Sequence, residues 1–283
     1  MLPAFILLLR EGLEASLVVS ILLAALRQLG KTREVRAVWI GVSLAVVCSA
    51  VGGYIIYSTV REYSNTTFQT VFETITYAVA IVLLTTMTFW MQRHSRTLKK
   101  EITAQASVAG SGFALGLLAF TTVGREGLES AVFALAFAFQ TTGALWLTGA
   151  VLGVLASVAL SWAIYRMGYR LDFRLFFRWM GALLLVFAAG LVADTIQNAQ
   201  ELGWIRFGNT HLWSTAHLLS EDSMVGDMLH AFIGYAESPT VLQLSLYLLF
   251  LLVVGGYFLY ITRKPSRGKS VVATQTVAPA SHS

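Results

Sequence analysis

Cysteine is almost absent from this sequence. The one residue, Cys48, sits in the middle of an apolar run, so no intrachain disulfide can form. With no Cys-Cys or Cys-His pair at ligand spacing, zinc, haem and iron–sulfur sites are not expected either. Cys48 should instead pack as a small buried hydrophobe. Charge is also scarce: Asp, Glu, Lys and Arg make up 12% of the 283 residues, against 56% hydrophobic. That balance, with a mean hydropathy of +0.69, argues against two soluble domains and for a polytopic membrane protein. No glycine-rich phosphate loop is present, so ATP is not expected to drive the protein. No basic stretch precedes the first apolar run, and Arg10, Glu11 and Glu14 interrupt it, which predicts a first membrane helix rather than a signal peptide. The net charge of +5 would suggest nucleic acid in a soluble protein. Here it is chiefly an orientation signal, and no nucleic-acid partner is expected.

What is present is a set of apolar runs reaching the ~20 residues that cross a hydrocarbon core as helix. Rich in Leu, Ala, Val, Gly and Phe and without an alternating polar face, they predict an all-α bundle rather than a barrel. Seven spans are expected, at about 3–26, 38–57, 71–91, 113–139, 145–165, 179–195 and 240–261. Sixteen of the 20 basic residues fall in alternate connectors and the tail: Arg27, Lys31, Arg33 and Arg36; Arg93, Arg96, Lys99 and Lys100; Arg166, Arg170, Arg174 and Arg178; Arg263, Lys264, Arg267 and Lys269. The intervening connectors hold only Arg61 and Arg206. The positive-inside rule then places the N-terminus outside the cell membrane and the C-terminus in the cytoplasm.

Two charged phrases break the apolar runs. Arg10-Glu11-Gly12-Leu13-Glu14 in the first span returns unchanged as Arg125-Glu126-Gly127-Leu128-Glu129 in the fourth. Each intramembrane charge costs at least ~2.5–3.5 kcal/mol on insertion scales, so three in each of two helices require more than packing. Three spans separate the copies, so the two helices run in opposite directions. That is the signature of a 3+3 inverted repeat, with the seventh span outside it. Fainter echoes agree: Trp39 with Trp146, and Ile56-Tyr57 with Ile164-Tyr165. The expected organisation is a transmembrane domain over 1–262, with a first repeat (1–100), a second (105–195), an acidic outer loop (196–239) and an extra helix (240–261). A disordered cytoplasmic tail (263–283) follows. Gly41, Gly52, Gly53, Gly149 and Gly153 are expected to let helices approach closely.

Residues three apart share a helix face. Glu11 and Glu14 therefore point one way, as do Glu126 and Glu129, and two helices crossing at mid-membrane would gather four carboxylates. Without Cys or His, this is a hard all-oxygen site that favours hard, highly charged cations such as Fe³⁺. Arg10 and Arg125, each four residues before a Glu, are expected to orient and partly neutralise Glu14 and Glu129, leaving Glu11 and Glu126 as the primary ligands. The same residues admit two other readings, helix-to-helix ion pairs and a proton relay without metal.

Glu73 and Asp194, near the outer ends of spans three and six, are candidate access carboxylates for a cation or plain helix-end residues. The loop over 196–239 carries Glu201, Glu221, Asp222, Asp227 and Glu237 with His211, His217 and His230. It reads as a solvated loop, an electrostatic funnel for cations or a docking surface, long enough to include a short helix lying on the surface. Its histidines lack tight metal spacing.

The doubled motif, the seven spans and the acidic loop resemble the oxidase-dependent high-affinity iron permease family, part of the iron/lead transporter superfamily, and in particular its bacterial ferrous/ferric branch. The resemblance covers roughly residues 1–260. It implies iron ligands at Glu11, Glu14, Glu126 and Glu129 with Arg10 and Arg125 beside them. It also implies a separate oxidase or periplasmic iron-handling partner, so that iron enters as Fe³⁺ after oxidation of Fe²⁺. Fungal members carry further acidic loop motifs, and no Asp-x-x-Glu stands here; some relatives are linked to lead. The expected function is therefore an iron uptake permease of the inner membrane, with iron as cargo, no organic cofactor and no enzymatic activity. The rival readings are a divalent-cation transporter or exporter and an intramembrane ferroxidase. Against the last, di-iron bundles use Glu-x-x-His on two helices, and all five histidines fall in connectors or the tail.

Overall fold

The computed structural model describes residues 2–62, 66–94, 98–109, 111–140, 143–167, 173–215, 217, 219–220 and 223–263. All of its regular elements are helical: α1 (Leu2–Gln28), α2 (Val35–Glu62), α3 (Thr67–His94), α4 (Leu98–Val108), α5 (Gly112–Gln140), α6 (Gly143–Met167), α7 (Phe173–Glu201), α8 (Met224–Ile233), α9 (Val241–Phe250) and α10 (Gly256–Arg263). A π-turn over Leu251–Gly255 joins the last two into one rod. Among the described residues, four stretches are long and apolar enough to cross a membrane: Thr32–Thr59, Thr67–Gln92, Leu175–Glu201 and Val241–Arg263. The helices α1 and α5 match them in length, at 27 and 29 residues, but carry the two charged motifs.

Packing follows a paired scheme. α1 lies along α6, α2 along α5, and α3 along α7, while α1 and α5 cross each other. Close approach is written into small residues. Gly41 of α2 lies against the Gly116 carbonyl of α5, Gly53 against Ala131, and Gly153 of α6 against the backbone of Phe5 and Leu9 in α1. Gly52, expected to do the same, faces open space.

Two apolar clusters hold the bundle. The first joins Leu7 (α1), Tyr77, Ala80 and Leu84 (α3), Phe133 (α5) and Leu184, Phe187 and Leu191 (α7). The second lies toward the basic connectors and joins Leu22 and Leu26 (α1), Val38 (α2), Leu115 (α5) and Ile102 and Ala106 of α4. Lipid is as apolar as these side chains, so the clusters hold the helices in register through close van der Waals packing rather than through removal from water. α4 was not expected, since its segment reads as a basic connector. Ile102 and Ala106 fall four apart and give it one apolar edge, and Lys31 Nζ, 2.7 Å from the Ala109 carbonyl, fastens its end.

Two other expectations are corrected. Cys48 is exposed rather than buried, because α2 sits on the rim of the bundle and turns this face outward. The short helix of the acidic loop, α8, does not lie on the surface. Ser223 caps its start by accepting from Gly226 N at 3.0 Å, and Gly234 ends it in the left-handed region at φ 68°. From there it reaches into the bundle: Phe232 meets Phe187 edge to face at 4.9 Å, and Gly234 abuts the Gly190 backbone. A β-carbon on Gly190 would come within 3.1 Å of the Gly234 α-carbon, so this contact requires glycine on both sides. The tail over 264–283 and the loop acids Glu221 and Asp222 lie outside the described residues.

Candidate metal site

The two motifs meet where α1 crosses α5. Glu11, Glu126 and Glu129 are all buried, and each offers an oxygen within 4.8 Å of the other two. Opposite ligands around a small hard cation stand ~4.2 Å apart at ~2.1 Å per bond, so modest side-chain rotation would close this set on an ion. Glu11 Oε2, Glu126 Oε2 and Glu129 Oε2 are buried without a hydrogen-bond partner, as is Glu14 Oε1, which has only the ion pair with Arg10. Buried carboxylate oxygens of that kind are costly unless something satisfies them, and a bound cation or a proton would do so.

Glu14 stands outside this trio. Arg10, 2% exposed, lies 2.9 Å from Glu14 Oε1 through Nε, and its Nη1 donates to Glu11 Oε1 at 2.9 Å. One guanidinium thus holds both carboxylates of its own helix, as its fork of donors permits. It lies in the field of all four glutamates. Arg125 behaves differently. Its Nε donates to Glu129 Oε1 at 3.1 Å, but the side chain is 51% exposed and its guanidinium sits 5.0 Å over the Trp90 ring. The Met87 sulfur lies 3.6 Å away. Identical motifs therefore occupy unlike surroundings: Leu13 is 4% exposed and Leu128 64%.

The glycines inside the motifs set the helix spacing, and they do so in matching fashion. A β-carbon on Gly12 would lie 2.7 Å from Ser157 Cβ of α6, and one on Gly127 would lie 2.8 Å from Ser49 Cβ of α2. Both are inside van der Waals contact, so neither position admits a larger residue without movement.

The chain matches the iron permease FTR1 family over residues 1–267. It belongs to that family. Curated relatives agree over almost the full length: the ferrous iron permease EfeU of Yersinia pestis is 34% identical over 285 residues, covering 99% of this chain and 100% of the relative. The protein of the same name in Escherichia coli O157:H7 is 36% identical over 259 residues, covering 89% and 93%. No solved structure matches the chain. This FTR1-family chain is a membrane protein on two grounds, its permease relatives and its long apolar helices.

The remaining expected site residues lie toward the acidic-loop end. Glu73 Oε1 accepts from Gln69 Nε2 at 2.6 Å, and Asp194 is 7% exposed. Buried Tyr77 lies in the field of both carboxylates. Sequence reasoning did not place His230 beside Asp194, where its Nε2 stands 3.8 Å from Asp194 Oδ1. The caps Ser223 and Gly234 were readable as the ends of a helix, and they would have put His230 on it. That this helix enters the bundle was not readable from local pattern.

Proposed function

We propose that this chain is an iron uptake permease that passes iron across the inner membrane through a carboxylate site at the α1–α5 crossing. The observation that carries the reading is the trio Glu11, Glu126 and Glu129, each with a buried oxygen that lacks a hydrogen-bond donor. Family membership supplies the cargo, and the oxygen-only donor set suits iron, Fe³⁺ most of all. In this reading Glu11, Glu126 and Glu129 bind the ion directly. Glu14 is the reserve ligand held by Arg10, which limits the charge of the empty site and keeps release possible. Arg125 plays the corresponding part for Glu129.

The architecture proposed is seven membrane spans: α1, α2, α3, α5, α6, α7 and the α9–α10 rod, with α1–α3 and α5–α7 as inverted repeats. The packing scheme supports it, because exchanging α1 with α5, α2 with α6 and α3 with α7 turns the α1–α6 pair into the α2–α5 pair and returns the α3–α7 pair and the α1–α5 crossing to themselves. The glycine contacts support it too. Gly12 meets Ser157 as Gly127 meets Ser49, and the two serines stand in the same register as Ile56-Tyr57 and Ile164-Tyr165. Alternating exposure of the crossing by the two repeats would move iron without ATP, since an inside-negative potential favours entry by ~2.3 kcal/mol per charge per 100 mV.

The N-terminus is placed outside and the C-terminus in the cytoplasm, with residues 1–262 as the permease domain. Glu73 and Asp194 then lie on the outer side as access carboxylates. The protein transports iron without converting it, and an extracytoplasmic oxidase or iron-binding partner supplies the ion. Expression in cells stripped of other iron importers tests direction and cargo together: radioiron should accumulate. Depletion of cellular metal would make the chain an exporter, and Fe²⁺ oxidation by the purified protein would make it an enzyme.

A further inference from the structure

The α7–α8 contact is antiparallel and in register: Gly190 meets Gly234, and one turn along each helix Asp194 faces His230. His230 Nδ1 is 2.8 Å from the Tyr235 carbonyl, which can only accept, so Nδ1 carries the ring proton. Nε2 is then turned toward Asp194 Oδ1 at 3.8 Å, and in the tautomer protonated at Nδ1 alone its lone pair faces that oxygen. That separation is too long for a hydrogen bond. It is the span of two ligands that share a metal ion at ~2.1 Å each with an angle of ~130°. Buried Tyr77 of α3 lies in the field of Asp194, and Asn198, one turn further along α7, has a buried Nδ2 with no partner. Beyond it a polar cleft of about 270 Å³ opens at the end of α7, lined by Gln197, Gln200, Glu201 and His211 among others.

We infer that Asp194 and His230 form a second cation station on the outer side of the Glu11–Glu126–Glu129 site, and that its imidazole selects iron and kindred transition metals over Mg²⁺ and Ca²⁺. The inference rests on the permease reading above. Leu7 and Leu191 pack in one cluster. Glu11 lies one turn beyond Leu7 and Asp194 about one turn beyond Leu191 in the opposite direction, so the stations are roughly 10 Å apart. The division of labour follows from donor chemistry. Carboxylates alone accept Mg²⁺ and Ca²⁺ readily, whereas imidazole nitrogen suits first-row transition metals. A nitrogen ligand placed ahead of an all-oxygen site removes the abundant hard divalent ions before they reach it. The docking of α8 gives His230 its place, because the Gly190–Gly234 contact fixes its register on α7.

The test uses full-length protein in detergent and in proteoliposomes, with Fe²⁺ under anoxia as the probe. X-ray absorption of the iron-loaded protein should show imidazole scattering. The signal should persist in the Glu11→Gln/Glu126→Gln variant, since that site holds no histidine, and disappear in His230→Asn. Asparagine keeps a donor for the Tyr235 carbonyl while removing Nε2, so α8 stays docked. Loss of a ligand should raise the KM for iron uptake by ~10-fold or more, with Vmax little changed, and make uptake sensitive to millimolar Mg²⁺ or Ca²⁺ that wild type tolerates. Asp194→Asn should act in the same direction. Oxygen-only scattering in wild type, or His230→Asn with wild-type KM and cation tolerance, overturns the second station and leaves the glutamate site standing. Iron bound by neither wild type nor any variant overturns the permease reading, and the second station with it.

Discussion

Arg10 and Arg125 occupy the same place in the same five-residue phrase, yet their replacement should have very different consequences. Arg10 is 2% exposed and holds Glu11 and Glu14, each at 2.9 Å. Arg10→Gln strands two buried carboxylates, and breaking a buried pair from one side costs ~3–5 kcal/mol. Arg125 is 51% exposed and holds one carboxylate at 3.1 Å. In a membrane helix its exposed side faces lipid rather than screening water, but its loss strands one buried carboxylate instead of two, together with a Trp90 stacking of ~0.5–1 kcal/mol. Arg125→Gln should therefore cost about half as much as Arg10→Gln, ~2 kcal/mol. At ~2–4 °C per kcal/mol for a chain of this size, thermal unfolding in detergent should fall by about 10 °C or more for Arg10→Gln and by a few degrees for Arg125→Gln. Adding Glu14→Gln to Arg10→Gln removes one stranded charge and should recover part of the loss, a coupling that a double-mutant cycle reads directly. Equal shifts for the two arginines, or the reverse order, would refute the asymmetry. So would a double variant less stable than Arg10→Gln alone.

The motif glycines and the docked loop give further tests. Gly127→Ala should lower the melting temperature through collision with Ser49, by an overpacking cost of ~1–3 kcal/mol. Ser49→Gly in the same chain should restore much of it, and an unchanged melting temperature for Gly127→Ala would contradict the contact. Gly234→Ala meets both a left-handed backbone, worth ~1–2 kcal/mol, and the Gly190 backbone. It should free α8 and raise the protease sensitivity of the loop while leaving the other helices folded. Cys48, the chain's one cysteine and exposed on the bundle rim, should resist a charged, impermeant maleimide in membranes, where lipid disfavours the reactive thiolate, and react once the protein is unfolded in denaturant. Rapid labelling by the charged reagent would place that face of α2 in water rather than lipid.

Much of this architecture was legible because a membrane chain writes it in composition. Apolar runs must be helical where no water can satisfy the backbone, and each of the long helices brackets a run read from the sequence. That the glutamates of the two phrases would gather was legible because Glu11, Glu14, Glu126 and Glu129 have no apolar reason to stand in such helices; that Glu129 rather than Glu14 joins Glu11 and Glu126 was not. What the sequence hid depends on non-local packing. Nothing in the two identical phrases says that Leu13 is buried and Leu128 exposed, since burial is set by which helices surround α1 and α5. Nor does Glu14 differ from Glu129 in sequence; only the arginine geometry sets it apart. The entry of α8 into the bundle rests on Gly190 and Gly234, 44 positions apart, and neither glycine alone signals a partner. Cys48 was misplaced because burial frequencies for cysteine come from water-facing proteins. On the rim of a membrane bundle, apolar side chains can face outward at no cost.

The measurement that bears most directly on the central claim is radioiron flux into proteoliposomes containing the purified chain, with Fe²⁺ and weakly chelated Fe³⁺ offered separately. Wild type should accumulate iron under an inside-negative potential, and Glu11→Gln/Glu126→Gln should not, although it remains folded. The preferred oxidation state will say whether oxidation precedes passage. Equal flux in wild type and the double variant would contradict a carboxylate site at the α1–α5 crossing.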